Sequence, residues 1–368
     1  MKKVEYDYLI VGSGLFGSVF AYLAKKNGKK CLVIEKRNHI AGNCYTENRD
    51  NINIHIYGPH IFHTSDDRVW KFMNELTDFH QYKHSPKVNF NGNIYSFPIN
   101  LLTLNQLWGV KTPTEALDKL KEVKFDIKKP KNLEEWCLSE VGEEIYETFI
   151  KGYTQKQWQK DPKLLPTSII KRLPIRTNFD DSYYFDKYQG IPVGGYTQIF
   201  DKLLDGIEVK TNTDYFSNRE YYDSISEKIV YTGKIDEFFD YRFGELEYRT
   251  LDLIHKKLDM EDFQGVSQMN YTSINVPYTR ITEHKHFEKS KSNITWITEE
   301  YPKEYKRGDI PYYPINDEQN NIRYNKYNKL KESCPKFIFG GRLSEYKYYD
   351  MHQVIASAIH KFNKDNNL

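Results

Sequence analysis

Cysteine is scarce: the 368 residues include four, Cys31, Cys44, Cys137 and Cys334, and no two of them stand in CxxC spacing. The chain therefore encodes neither a zinc cluster nor a disulfide framework, and reduced thiols in the cytoplasm are expected. Net charge is almost missing as well, because 53 Lys and Arg oppose 51 Asp and Glu to leave +2. Such a balance gives no global field for capturing nucleic acid or an anionic membrane, so an anionic ligand has to be met by a few placed cations. Long apolar runs are absent too. The first, Tyr8 to Val11, is short and ends in glycines, unlike a secretory signal. No later run approaches the roughly 20 apolar residues of a membrane helix. With no internal repeat or low-complexity tract, a soluble cytoplasmic protein without membrane insertion is expected.

Aromatic side chains are abundant by contrast, with 30 Tyr and 21 Phe, many beside Arg, Lys, Asp or Asn. Ordinary cores prefer Leu and Ile, so some of these tyrosines are expected to line a polar, ring-accommodating cleft. The length exceeds what one hydrophobic core usually serves, which predicts two or three domains.

The stretch "YDYLIVGSGLFGSVFAYLAKKNGKKCLVIEK" reads as a βαβ unit: an apolar strand over 6–11, a glycine turn, a helix closed by Gly28, and a second buried strand over 30–35. GxGxxG alone is weak. Here Gly12, Gly14 and Gly17 follow a strand, open a helix and are answered by Glu35, 23 positions after Gly12. Gly12 makes the turn, Gly14 lets backbone approach a pyrophosphate, and Gly17 packs helix on strand. The helix amino terminus faces the phosphates with its dipole. Glu35 is placed to accept from a ribose hydroxyl and repels a 2′-phosphate, which predicts FAD or NAD rather than NADP.

Downstream, residues 101–158 read as helical, with Pro113 after Thr112 at one helix start and Asn132 with Glu135 as a capping box at another. Prolines and the pair Gly194-Gly195 then break the chain to about residue 196, which argues for loop and strand, and "IIKRLPIR" within it is expected to move. Short strands follow at 207–211 and 228–233, and alternation over 246–300 predicts an antiparallel sheet. The last segment, "KFIFGGRLSEYKYYDMHQVIASAIHKF", is a strand, a Gly340-Gly341 turn with Arg342, and a helix capped by Asp350. A far carboxyl-terminal segment that returns to the first domain suits an extended FAD better than NAD.

With those residues in place the chain resembles the UDP-galactopyranose mutase family from end to end. The resemblance is carried by "IVGSGLFG", "YGPHIFHT", "GYTQKQW", "IIKRLPIR", "YQGIPVGGY", "VPYTRITEHKHF", "YYPIN" and "FGGRLSEYKYYDMHQ". It implies an α/β plus α+β fold: a Rossmann-like FAD-binding domain (1–80, 192–245 and 332–368), an inserted helical bundle (100–165), and a twisted antiparallel β-sheet domain (81–99, 166–191 and 246–331). A mobile loop near 167–177 and, as in bacterial members, a homodimer are also implied.

The reaction implied is interconversion of UDP-galactopyranose and UDP-galactofuranose for cell-surface glycan biosynthesis. Reduced FAD, recharged by NAD(P)H or another donor, attacks the anomeric carbon through N5 while UDP leaves, so the flavin serves as a nucleophile with no net redox change. That route needs cations on the departing pyrophosphate, and Arg172 and Arg280 occupy the family's paired positions. The resemblance assigns Tyr183, Tyr313 and Tyr348 to the phosphates and sugar. It assigns Phe149, Tyr153, Thr154 and Trp158 to the uridine end and sugar wall, with a helical core stripe as the alternative, strongest for Phe149. Asn270 joins the uridine or phosphate region, with an ordinary sheet hydrogen bond as the alternative.

The resemblance places His60 and His63 against the flavin, His63 with a catalytic role in which a neutral imidazole tunes N5, and a structural imidazole is the alternative. They stand at i, i+3 after Pro59, with no third ligand at suitable spacing, so no metal is expected. Asp350 caps a helix whose dipole faces the reduced flavin and is grouped with the catalytic residues. Phe16, Asn43, Ile61, Gly341, Arg342, Tyr349 and Met351 complete the FAD contacts implied. Arg176 has no assigned role and reads as loop or surface charge. Two departures stand out: Ala41-Gly42 in place of a glycine pair, and His84 where relatives often carry Asn. His84 borders the substrate and leaves an N-acetylated sugar open. An FAD-dependent oxidoreductase of amine-oxidase type, and a nucleotide-sugar-binding protein without catalysis, are the alternative classes.

Overall fold

The computed structural model describes residues 4–167 and 175–368. Strand Tyr6–Val11 is flanked by Cys31–Ile34 and Ser226–Tyr231 in a five-stranded parallel sheet, completed outside by Glu208–Lys210 and Phe337–Phe339. Both faces are covered. Tyr8 and Ile10 join one core with the helices Leu15–Lys26, Thr197–Leu204 and Met351–Asn366, while Tyr6 and Leu9 join a second core on the other side. That two-sided burial explains why "YLIV" is continuously apolar rather than alternating. The strand order reverses about Tyr6–Val11, and in such sheets a ligand binds beyond the carboxyl ends at the reversal.

A seven-stranded sheet carries the cleft side. Its long pair, Tyr248–Leu258 with Thr295–Glu304, runs antiparallel, and Arg280–Glu283 and Gln268–Tyr271 follow in the same sense. The sheet is not purely antiparallel as expected: Gln268–Tyr271 pairs parallel with Lys87–Phe90, a strand supplied from much earlier in the chain. Sequence alternation reports which face is buried and is silent on the direction of a distant partner.

The helical segment Leu101–Trp158 shares a core with Val88, Tyr95, Phe97 and Ile99 at the edge of the seven-stranded sheet. Thr112 Oγ1 accepts from Glu115 N–H, and Asn132 Oδ1 accepts from Glu135 N–H, so both anticipated starts are capped by side chains. Gly142 bends the third helix at φ 78°, where a Cβ would lie 2.7 Å from the Val123 carbonyl oxygen. Among the described residues no helix is long and apolar enough to cross a membrane.

Arg176 departs from its reading as a surface charge. It is 8% exposed, Nη1 donates to the carbonyls of Asp180 (2.9 Å) and Ser182 (2.6 Å), and the guanidinium lies 4.2 Å from the Phe185 ring. It thereby ties down the 180–185 segment that presents Tyr183 and Tyr184. Arg176→Met should cost about 1–3 kcal/mol, because those carbonyls lose their donor. A urea midpoint equal to that of the parent chain would contradict this role.

Candidate active site

The glycine turn follows strand Tyr6–Val11 directly. Gly12 adopts φ +102°, and a Cβ there would lie 2.2 Å from Thr232 Oγ1 at the end of the neighbouring strand. A Cβ on Gly17 would lie 2.1 Å from the Gly12 carbonyl oxygen. The helix Leu15–Lys26 begins at Gly14 without any side-chain cap, so its first amides await an acceptor. Glu35 is buried, its Oε2 accepts from Ser13 N–H and Ser13 Oγ–H at 2.9 Å each, and its Oε1 accepts from Arg37 N–H at 2.9 Å. A carboxylate has about four lone-pair sites, so capacity for a ribose hydroxyl remains.

Arg37 stacks 4.3 Å over Tyr57 and donates to Asn43 Oδ1 (2.9 Å), yet its Nη1 is buried without a partner. An orphaned buried cation beside uncapped helix amides fits a dinucleotide phosphate or ribose. Ala41 adopts φ 76° at the place of the missing glycine, and its N–H donates to the Ser13 carbonyl (3.1 Å), which ties that turn to the glycine loop.

At the second turn, Gly341 adopts φ +84° and Arg342 bonds the carbonyls of Tyr312 (3.1 Å) and Tyr349 (2.6 Å). Phe16 is 3% exposed, and its ring lies where a Gly340 Cβ would fall, so it packs the two turns together. Gly12→Ala forces Thr232 or the turn to move at about 1–3 kcal/mol, which predicts dinucleotide binding weaker by ~10–100-fold. Titration of the apoprotein measures it, and binding at parental strength would refute the geometry.

The other end of the cleft gathers residues that sequence reading treats separately. His63 Nδ1 lies 2.6 Å from Asp186 Oδ2, its ring stacks 3.8 Å from Tyr184, and the His352 ring stands 5.0 Å away. Potential ligand atoms of His63, Asp350 and His352 lie within 4.8 Å of one another, a grouping that leaves out His60, whose Nδ1 is engaged with the Gly58 carbonyl. Asp350 N–H donates to Gln353 Oε1 (2.9 Å) at the start of the helix Met351–Asn366. Met351 touches Cys44 Sγ through its sulfur at 3.9 Å. His60 Nδ1 lies 2.8 Å from the Gly58 carbonyl, and Ile61 is buried beside this loop.

Arg280 opens the strand Arg280–Glu283 opposite Asn270 and Glu300. Its Nε lies 3.1 Å from Glu300 Oε1 as an ion pair that lacks hydrogen-bond alignment, and its Nη2 donates to Tyr153 Oη at 2.9 Å. Among the described residues Nη1 makes no hydrogen bond, which leaves one edge of the guanidinium for an anion. Burial raises the Tyr153 pKa, so the phenol stays protonated as a donor.

Tyr313 and Tyr348 stack at 5.6 Å, with Arg342 5.1 Å from the Tyr348 ring. Tyr183 stands edge-on to His84 at 5.4 Å. His84 is 3% exposed and its pKa is pushed down to about 3, chiefly by burial, then by Arg280 and His63, so it is a neutral imidazole.

The remaining predicted residues divide between the helical side and the strand Gln268–Tyr271. Thr154 is buried, Trp158 lies under the Arg249 guanidinium at 5.4 Å, and Asn270 Oδ1 accepts from Gln268 Nε2 (3.2 Å). Phe149 sits in the helical core with its edge to Tyr95, which is the packing alternative for that position. Arg172 and most of the loop expected to close lie outside the described residues. Sequence reasoning does not reach Glu300, Asp186, Tyr184, His352 or Arg37. For Glu300 the signal is present, since "NITWITEE" ends an alternating strand with adjacent acids, one of which must face inward.

The UDP-galactopyranose mutase family matches residues 148–348, and an NAD(P)-binding Rossmann-like domain matches residues 10–76. The dTDP-fucopyranose mutase of Escherichia coli is 42% identical over 98% of this chain and 97% of its own length. The chain belongs to the UDP-galactopyranose mutase family. A probable UDP-galactopyranose mutase of Klebsiella pneumoniae is 41% identical over 96% of this chain and 93% of its own. The solved structure of a reduced UDP-galactopyranose mutase superposes with TM-score 0.76 at 13% identity, covering 99% of this chain and 94% of that one, and so shares its fold. Family membership makes the chain an isomerase and its dinucleotide a flavin, and the amine-oxidase architecture is a relative of the fold rather than a better account of the site.

Proposed function

We propose that this mutase-family chain interconverts UDP-galactopyranose and UDP-galactofuranose with FAD as its cofactor, in the cytoplasm, as a homodimer supplying cell-surface glycan synthesis. The observation that carries the reading is Arg280, a guanidinium paired with Glu300 and bonded to Tyr153, whose charge is felt by the phenols of Tyr183, Tyr313 and Tyr348. Bound reduced flavin supplies the nucleophile for the anomeric carbon. The residues of the chain do the rest. Gly12, Gly14, Gly17, Glu35 and Arg37 hold the dinucleotide, and Arg342 braces the second turn. The Asp350-led helix amino terminus favours negative charge on the ring system.

Arg280 neutralises the pyrophosphate as its bond to the sugar breaks and keeps it near for return, so a departing group re-attacks at high effective concentration. The tyrosine hydroxyls orient the sugar, and their rings exclude water that would hydrolyse it. Arg172 is the second cation of this reading.

A second substrate is favoured by one observation: the dTDP-fucopyranose mutase relative is as similar as the galactose-directed one. His84 beside Tyr183 is the residue on which that choice, and acceptance of an N-acetylated sugar, turns. Dithionite-reduced protein incubated with UDP-galactopyranose, its N-acetylated analogue and dTDP-fucopyranose, with products separated by chromatography, tests the reading. A furanose from UDP-galactopyranose is expected. Formation from dTDP-fucopyranose alone would transfer the assignment to that substrate, and no furanose from any would end the reading.

A further inference from the structure

A row of hydrogen bonds crosses from the large sheet to the loop that carries His60, and its fixed ends determine the proton position on every imidazole in it. At one end is a backbone carbonyl, which only accepts: the Ile56 oxygen lies 3.2 Å from His255 Nε2, so His255 carries its proton on Nε2. Its Nδ1 is then an acceptor, and Thr298 Oγ–H donates to it at 2.7 Å. The same oxygen must accept from His284 Nε2–H, 2.6 Å away. That leaves His284 Nδ1 as an acceptor, and the His55 backbone N–H donates to it at 3.3 Å. At the far end the His60 backbone N–H donates to His55 Nδ1 at 3.0 Å, which fixes the His55 proton on Nε2. One end is a backbone acceptor and the other a backbone donor, and a single assignment satisfies every link between them, with the buried His55 Nε2–H left outside the row without a hydrogen-bond partner.

The chain is buried where it matters. His55 is 1% exposed, His284 2% and Thr298 2%, and none of its hydrogen bonds is to a carboxylate. Thr298 also stands two residues from Glu300 on one strand, so both side chains leave the same face, and Glu300 pairs in register with Arg280. Strand Thr295–Glu304 therefore links the Arg280 anion site to the loop at 56–60.

We propose that Thr298 is a positioning residue: its one hydroxyl, donating to His255 and accepting from His284, fixes through His55 the backbone of His60 beside the cofactor and couples that loop to the strand bearing Glu300. The inference rests on the flavin lying against the His60 loop, as in the proposed function.

The test uses holoprotein labelled with nitrogen-15 histidine. Long-range proton–nitrogen spectra of the parent protein should show His55, His255 and His284 as neutral Nε2–H forms and His60 as the neutral Nδ1–H form. Thr298→Val should keep bound flavin but shift its visible absorption and lower kcat at least about 10-fold, with KM moving less than about 3-fold. Thr298→Ser, which keeps the hydroxyl, should return both to within about 3-fold of the parent.

A Nδ1–H form at His55, His255 or His284 overturns the inference, and this arm needs no variant to fold. So does a valine variant with parental kcat and flavin spectrum, or a serine variant as impaired as valine. Absence of isomerase activity in the parent protein would refute the proposed function, while the spectra would still decide the histidine chain.

Discussion

Arg280→Ala is expected to lower kcat by about 10²–10³-fold with flavin still bound, the loss typical when one preorganised charge-stabilising donor is removed from a reacting centre. The side chain is a poor candidate for a solvated charge. Its Nε lies 3.1 Å from Glu300, which is 3% exposed, and its Nη2 donates to Tyr153 at 2.9 Å, so the guanidinium is held still before any substrate arrives. Arg280→Lys keeps the charge but loses the planar fork, and should fall between the parent and alanine. Glu300 retains a bond from Thr279 Oγ (3.2 Å) in either variant, which limits collateral unfolding. Steady-state rates at saturating UDP-galactopyranose, normalised to flavin content, measure the effect. A kcat within a few-fold of the parent would mean that the leaving group is held elsewhere.

The second large effect is acid instability. Burial pushes the pKa of His55 down to about 3, His60 to about 4 and His84 to about 3, and that of His284 well below the ordinary 6.5. These folded-state values are depressed. The neutral forms therefore support the fold fully above pH 6.5, and that support is lost as pH falls from there toward the folded-state values. In this window the unfolded chain binds about four more protons than the native one, and stability should fall with a slope of about 5 kcal/mol per pH unit. Since domains are stable by only about 5–15 kcal/mol, cooperative unfolding is expected before pH 4. Denaturant titrations between pH 7 and 4.5 give the slope. A proton uptake near one would contradict the neutral, desolvated state of these four rings.

Local chemistry was legible where function depends on neighbours in sequence. The glycines at 12, 14 and 17, Glu35, the Gly340-Gly341 turn and the helix opened by Asp350 are each a strand end, a turn and a helix start, and such units declare themselves through glycine and caps. Arg176 misleads because burial depends on what the 180–185 segment brings over it, and nothing within "LPIR" records that. The Asp186 partner of His63 lies 123 residues away, and the His55, His255, His284 and Thr298 row is assembled from four separate strands or strand ends. Spacing in sequence carries no trace of such a row, because each histidine alone reads as an ordinary polar residue in an alternating segment. The parallel pairing of Lys87–Phe90 with Gln268–Tyr271 escapes for the same reason.

The central claim is that flavin here acts without net redox change on a sugar whose leaving group Arg280 retains. It is tested most directly by counting turnovers per electron pair. The flavin is reduced once, anaerobically, with one equivalent of dithionite, excess reductant is removed, and UDP-galactopyranose is added. The account predicts many furanose molecules per flavin while the reduced spectrum persists, and none from the oxidised protein. Furanose formation that stops at one molecule per electron pair, with reoxidation of the flavin, would contradict it.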